Sequence, residues 1–225
     1  MNDPELAIAL QRTADRSLDA RLEAMLDRQE IMELVRLERF WRDQCQWTEL
    51  ANAYVSDSQV LTTWFRGTGR AFADASREMY EARGSRGKHM IWPADVRVRG
   101  DRAICESPGT IYSRSTFEGV ELDLMTYARF HSLLVRTDQG WRMKTFTGVY
   151  LKDAMTPVNP QERLPVDWED IKRFRPSYRF MCYSLSRRGY MPPQDLPGDD
   201  RPDIVRDFYA HAERWLLTGE DAFWR

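Results

Sequence analysis

The side chains suited to chemistry are few and scattered along this 225-residue chain. Its three histidines are His89, His131 and His211, and its three cysteines are Cys45, Cys105 and Cys182. No HxH, HExxH or CxxC spacing gathers them, so the sequence indicates neither a zinc site nor a disulfide framework. The odd, dispersed cysteines fit a reducing cytoplasm. Ser85 and Ser107 lie in no GxSxG elbow, and no GxGxxG or GxxxxGK loop is present to cradle a phosphate. Asp195, Asp199, Asp200 and Asp203 keep no EF-hand register and read as a solvated or arginine-paired loop. What remains is proton transfer by imidazole, carboxylate and phenol, with no metal or cofactor expected.

Two groupings carry that chemistry further. By period-two alternation Tyr127, Arg129 and His131 share one face of a strand, while Thr126, Ala128, Phe130 and Ser132 share the other. The first face could bind a phenolate oxygen in a pocket or serve as an oligomer interface. The second grouping is aromatic: 8 Trp, 9 Tyr and 10 Phe exceed what packing obviously requires. Trp64, Phe65, Trp92, Phe146 and Tyr150 could wall a slot for a planar ligand, although many aromatics in any chain are simply core.

The elements that must position these residues follow from hydrophobic spacing. Asp3-Pro4 is a helix-start pair, followed by apolar residues at helical intervals from Leu6 to Leu26. A second helix, almost unbroken from the first, buries Ile31, Leu34, Val35, Leu37, Phe40 and Trp41. A short helix from Trp47 to Tyr54, a strand from Gln59 to Arg66, and a helix carrying Phe72, Ser76, Met79 and Tyr80 come next. From residue 88 strands take over: a hairpin turning at Gly100-Asp101, a turn near Glu118-Gly119, and another at Asp138-Gln139-Gly140. Helices followed by a meandering antiparallel sheet give an α+β class. A proline-punctuated linker begins at Thr156, a helix is expected from Trp168 to Leu185, and a last amphipathic helix from Asp203 to Leu217.

Composition narrows the partners. Lys and Arg number 33 against 35 Asp and Glu, a net charge of −2, so no nucleic-acid partner is expected from global charge. No apolar run reaches the roughly 18 residues that span a bilayer, and residues 1–10 lack the pattern of a secretory signal. A cytoplasmic location without membrane association is the expectation.

The succession RQEIMELVRLERFWRDQCQW, ELANAYVSDSQV, GKHMIWPADVRVRGDRAICES and LLVRTDQGWRMKTF resembles the SnoaL-like branch of the nuclear transport factor 2 superfamily. The resemblance covers residues 28–155. It implies a cone: a curved antiparallel sheet wrapped around helices, enclosing an apolar pocket. An N-terminal helical arm (1–27) and a linker with a C-terminal helical extension (156–225) would flank it. Such folds host dehydratases, isomerases, cyclases and non-enzymes alike.

The resemblance also implies site residues. A histidine at the position of His89 lines the pocket and shuttles protons in the dehydratase-like relatives, a role suited to an imidazole that titrates near working pH. The bland alternative is a strand-start histidine that only bonds the backbone. Asp43, four positions before Trp47, matches an aspartate that orients the histidine or a water; a solvated charge beside Arg42 or Arg39 is the alternative. Where those relatives place a tyrosine in the preceding turn, this chain has Glu38. Where some use a second histidine in mid-sheet, it offers Glu106, Tyr112 or Arg114. Tyr54 completes the candidate pocket residues.

Residues 175–203, RPSYRFMCYSLSRRGYMPPQDLPGDDRPD, resemble the extension of a sphingomonad-type group that includes cofactor-independent lyases releasing formaldehyde from lignin-derived diarylpropanes. The implied activity is a cofactor-free lyase acting on a phenolic small molecule as a homo-oligomer, trimer or dimer. His89 and Asp43 would serve the benzylic end, and Arg129, Tyr127 or His131 the phenolate. The alternatives are a simple dehydratase or isomerase and a non-catalytic binding module or dioxygenase β-type subunit. The extension is expected to close the cone and lend an aromatic wall to the cavity.

Overall fold

The structure, a computed structural model, describes residues 17–83 and 87–224; the helix start at Asp3-Pro4 lies outside them. The described residues begin with one long helix, α1 (Leu18–Asp43), which Ser17 caps by accepting the Ala20 N–H through its hydroxyl at 3.2 Å. The division expected at residue 27 falls inside this helix. Leu18, Leu22, Met25 and Leu26 are exposed along its first half, whereas Ile31 and Val35 are buried in the second. Asp27 marks the change, accepting hydrogen bonds from Arg136 at 2.7 Å and from the Trp141 indole at 3.2 Å.

After α2 (Trp47–Asn52), β1 (Tyr54–Leu61), β2 (Arg66–Gly67) and α3 (Gly69–Arg83), the sheet is completed by β3 (Lys88–Ile91), β4 (Asp95–Arg99), β5 (Arg102–Phe117), β6 (Val120–Thr137) and β7 (Gly140–Pro157). The strand order is β2-β1-β7-β6-β5-β3, with β4 also on β5; every pairing is antiparallel except β1 with β7. At about 3.3 Å per residue, the 18-residue β6 and β7 would extend roughly 60 Å if straight. They curve instead, with register shifts at Tyr127/Ala128 and Leu133/Leu134 that add twist. The helices α1, α2 and α3 fill the concave side, where Ile31, Leu50, Val60, Phe72, Leu134 and Phe146 form one core. This is the expected α+β cone. Among the described residues no helix is long and apolar enough to cross a membrane.

The expected helix from Trp168 to Leu185 is broken into two 3-10 turns, Asp170–Arg173 and Pro176–Tyr178, and a helix α4 (Arg179–Ser186). Pro176 is the reason: it forces Arg175 to an extended ψ of 140° and cannot donate to a preceding turn. Asp153 on β7 accepts the Met181 N–H at 2.8 Å in the first turn of α4, and burial pushes that carboxyl up to about 6. The proline-rich loop then returns to the sheet. Tyr150 donates its N–H to Pro197 and accepts from Asp199, both at 2.9 Å, before α5 (Pro202–Thr218) packs Ala212, Trp215 and Leu216 against Ile104 and Leu133 on the convex face.

Arg175 is the clamp of this extension. Its guanidinium reaches both Asp200 oxygens, at 2.7 and 3.0 Å, and the carbonyl of Leu196 at 2.6 Å. Removing one partner of such a largely buried pair leaves the other uncompensated. Arg175→Met is expected to cost about 2–3 kcal/mol, measured by urea unfolding, and to expose the loop around residue 195 to protease. A loss below about 0.5 kcal/mol, the size of an ordinary surface effect, would show that the clamp is not needed.

Candidate active site

Helix periodicity builds the site. Ile31, Val35, Glu38 and Arg42 lie i, i+4, i+7 and i+11 apart, so the apolar stripe of α1 runs into charged residues as the helix enters the cone. Glu38 and Arg39 are buried and pair through both carboxylate oxygens. Tyr54 donates its hydroxyl to Glu38 at 2.6 Å. The Arg39 guanidinium also lies 4.2 Å from the centre of the Phe146 ring.

Asp43, on the last turn of α1, faces His89 on β3. Its Oδ1 lies 2.8 Å from His89 Nδ1, and its Oδ2 accepts the His89 backbone N–H at 2.6 Å. Lys88 donates to the Asp43 carbonyl, fixing the strand against the helix end. Burial alone would raise the Asp43 carboxyl, but the His89 hydrogen bond and the nearby charges hold it below the ordinary carboxylate value. An ionised carboxylate only accepts, so Nδ1 carries the proton and Nε2 offers a lone pair. Burial lowers His89 to about 4, which keeps the ring neutral at physiological pH.

His89 lines a cavity of about 100 Å³ inside the cone. Arg39, Arg42, Trp64, Phe130, Phe146 and Tyr150 share the lining, and Met181, Ser184, Leu185, Arg188 and Tyr190 of the extension close it. The extension thus contributes an aromatic side chain, Tyr190, to the chamber that holds His89. Thr63 at the wall donates its hydroxyl to the Met181 sulfur at 3.1 Å.

Of the expected site residues, the structure gathers His89, Asp43, Trp64, Phe146 and Tyr150. Tyr54 lies behind the wall as the partner of Glu38. Phe65 packs behind Trp64, their ring centres 5.6 Å apart. Trp92 and Tyr112 lie in an open groove beside β3, beyond the cavity.

The Tyr127, Arg129 and His131 face is a correction: these side chains occupy the convex side, Arg129 and His131 under the extension. Arg129 pairs with Asp199 at 3.0 Å, the Lys152 ammonium lies over the Tyr127 ring, and His131 packs against Phe208 and Tyr209. Glu106 shares that side and accepts the Tyr209 hydroxyl at 2.6 Å. Alternation assigned the face correctly but not its side, because either side of a curved sheet can be covered. Sequence reasoning missed Arg42, Arg188 and Tyr190 as cavity residues. For Arg42 the signal was its place on the stripe of Ile31 and Val35.

The geometry is that of a buried carboxylate–imidazole pair beside an aromatic chamber. The family model described as "SnoaL-like domain" matches residues 23–147. The chain belongs to that family. Over 207 residues this SnoaL-like protein is 28% identical to pea pathogenicity protein 2 of Fusarium vanettenii, covering 85% of this chain and 86% of the relative. Two solved structures from Novosphingobium aromaticivorans are also similar. One is a nuclear-transport-factor-2-like protein with a cystatin-like fold, 25% identical, TM-score 0.46, with 58% of this chain and 86% of that one covered. The other is a candidate scytalone dehydratase, 22% identical, TM-score 0.45, with 66% and 99% covered. Neither likeness bears on the activity of this SnoaL-like chain.

His131 yields a stability test. Its burial lowers it to about 3, so below pH 6.5 the unfolded chain takes up a proton that the folded chain refuses. Its share of stability is complete above pH 6.5 and is lost as pH falls towards 3. His131→Phe is expected to reduce the fall in unfolding free energy between pH 6 and pH 4 by up to about 1.4 kcal/mol per pH unit. Unfolding curves of unchanged slope would show that His131 does not carry this linkage.

Proposed function

We propose that this SnoaL-like protein is an acid–base lyase that eliminates water from a hydroxylated aromatic compound, with His89 as the proton-transferring residue. The single observation that carries this reading is the His89–Asp43 pair, whose neutral imidazole lines a cavity walled by Trp64, Phe130 and Phe146. As a proton passes to His89 Nε2, the imidazolium forms beside an ionised carboxylate that already holds Nδ1–H, and the developing charge is stabilised without reorganisation.

The finer reading is a lyase for a phenolic diarylpropane. Proton donation to the benzylic hydroxyl releases water, while loss of the para-phenol proton supplies the electron pair and leaves a quinone methide. Deprotonation of the terminal hydroxyl then expels formaldehyde. The electrons of the broken carbon–carbon bond form the stilbene double bond and restore the ring as a phenolate. The products are stilbene, water and formaldehyde, with no oxidant consumed. The closure of the cone by residues 181–190 supports this reading, because a second ring needs an added wall. The cavity volume favours a second reading, dehydration of a one-ring substrate, since about 100 Å³ is small beside the roughly 300–1,000 Å³ of usual ligand pockets.

Incubation with phenolic diarylpropanediols and with one-ring benzylic alcohols, following water loss by mass spectrometry and formaldehyde by derivatisation, separates the two. Turnover without formaldehyde favours the dehydratase; no turnover of either class defeats the lyase reading. On the accepted substrate, His89→Ala is expected to lower kcat by about 10²–10⁴-fold, with Asp43→Asn lowering it as well. Because the imidazole must be neutral to take a proton, kcat/KM should fall only as pH drops towards about 4. An acid limb near the ordinary histidine value of about 6.5, measured on still-folded enzyme, would contradict that assignment.

A further inference from the structure

The charged groups around the cavity do not balance. Its lining holds three guanidinium groups, those of Arg39, Arg42 and Arg188, and no carboxylate among the described residues. Arg39 is accounted for, with its Nε and Nη2 both donating to Glu38. Arg188 donates to the Ser115 hydroxyl at 3.5 Å. Arg42 is less well satisfied. Its nearest carboxylate oxygen is Asp43 Oδ1, 3.5 Å from Nη1, and both oxygens of that carboxylate already receive hydrogen bonds from His89. The Arg42 Nε–H is sealed in the wall without an acceptor.

Around it lie the rings of Trp64 and Phe72, each centred 5.9 Å from the guanidinium carbon, and the side chain keeps 14% of its surface exposed. Burial, and then the charge of Arg39, pulls the group below its ordinary basicity. A guanidinium withdrawn from water with so few acceptors costs free energy that an anionic oxygen would offset. With Nε sealed away and Nη1 turned to Asp43, neither two-pronged edge that grips carboxylates, Nε with Nη2 or Nη1 with Nη2, is presented whole. A single oxygen suits what is left.

We propose that Arg42 seats a single anionic oxygen borne on an aromatic ring, so that the cavity selects phenols and holds them as phenolates. This rests on the reading of the His89 cavity as the substrate site, and it places on α1 the phenolate partner that the convex Arg129 cannot be. In the elimination above, that contact would favour loss of the phenol proton, the event that drives out the benzylic hydroxyl.

The test uses 4-nitrophenol, whose ionised form has its own visible absorption, with the full-length protein at a pH about one unit below the free ligand's pKa. Added protein is expected to raise the phenolate absorption, with the bound ligand's pKa lowered by about one unit or more, a tenfold preference for the anion. 4-Nitroanisole, which cannot ionise, should bind roughly tenfold more weakly. Arg42→Met should abolish the spectral shift, and Arg42→Gln replaces it if that variant does not fold. A bound ligand that stays neutral, an anisole that binds equally well, or a neutral variant with an undiminished shift would each overturn the proposal. So would 4-nitrobenzoate binding more tightly than the phenolate. The readout does not depend on turnover. A protein that binds the phenolate but transforms no phenolic alcohol defeats the lyase reading alone, and one that transforms them without the shift defeats the Arg42 assignment alone.

Discussion

Four charged residues, Glu38, Arg39, Arg42 and Asp43, enter the cone on one side of α1, and the site is arranged around the cost of burying them. In a low-dielectric interior each charge must find a partner or be neutralised by a change of protonation. Glu38 and Arg39 satisfy each other, with Tyr54 supplying a further hydrogen bond from the start of β1. Asp43 is satisfied by His89, which draws β3 against the end of the helix and sets the imidazole's tautomer. The interaction that resolves a folding cost therefore also orients the group best suited to move a proton. Arg42 receives the smallest share of compensation, and it borders the cavity.

The sheet has two working sides, and the extension serves both. Towards the concave side, α4 and the residues after it bring Met181, Leu185 and Tyr190 to the cavity. Towards the convex side, α5 covers Ile104, Leu133 and His131 with Trp215, Leu216 and Phe208. Between them the loop is tied to β7 at Tyr150 and to itself through Arg175 and Asp200. Arg129 belongs to this outer architecture, where its contact with Asp199 and with the Tyr209 ring anchors the returning chain. Because Tyr150 also borders the cavity, the ties of the extension and the wall of the chamber meet at one residue.

Membership in the SnoaL-like family supplies a scaffold hospitable to several reactions, so the chemistry must be argued from the groups inside it. Here these are one neutral imidazole, backed by a carboxylate withheld from the chamber, with aromatic walls and guanidinium groups at the margin. In the proposed reading, that set serves proton transfer on a planar, oxygen-bearing molecule.

The sequence by itself determined the α+β class and the hairpin turns, and the family resemblance offered His89 and Asp43 as a candidate pair. Each of these rests on local pattern: period-two strands, glycine turns, and motif spacing shared with a known family. It also determined that Tyr127, Arg129 and His131 share a face, because alternation along a strand is fixed by the pleat. Which side that face occupies was decided only by tertiary structure, since α5 covers the convex side with a segment more than sixty residues away. The same holds for the cavity. Arg42 was legible as part of a helical stripe, but Arg188 and Tyr190 reach the chamber only because Pro176 breaks the expected helix and Asp153 receives the start of α4. Local sequence sets which residues share a face; long-range packing decides what that face meets.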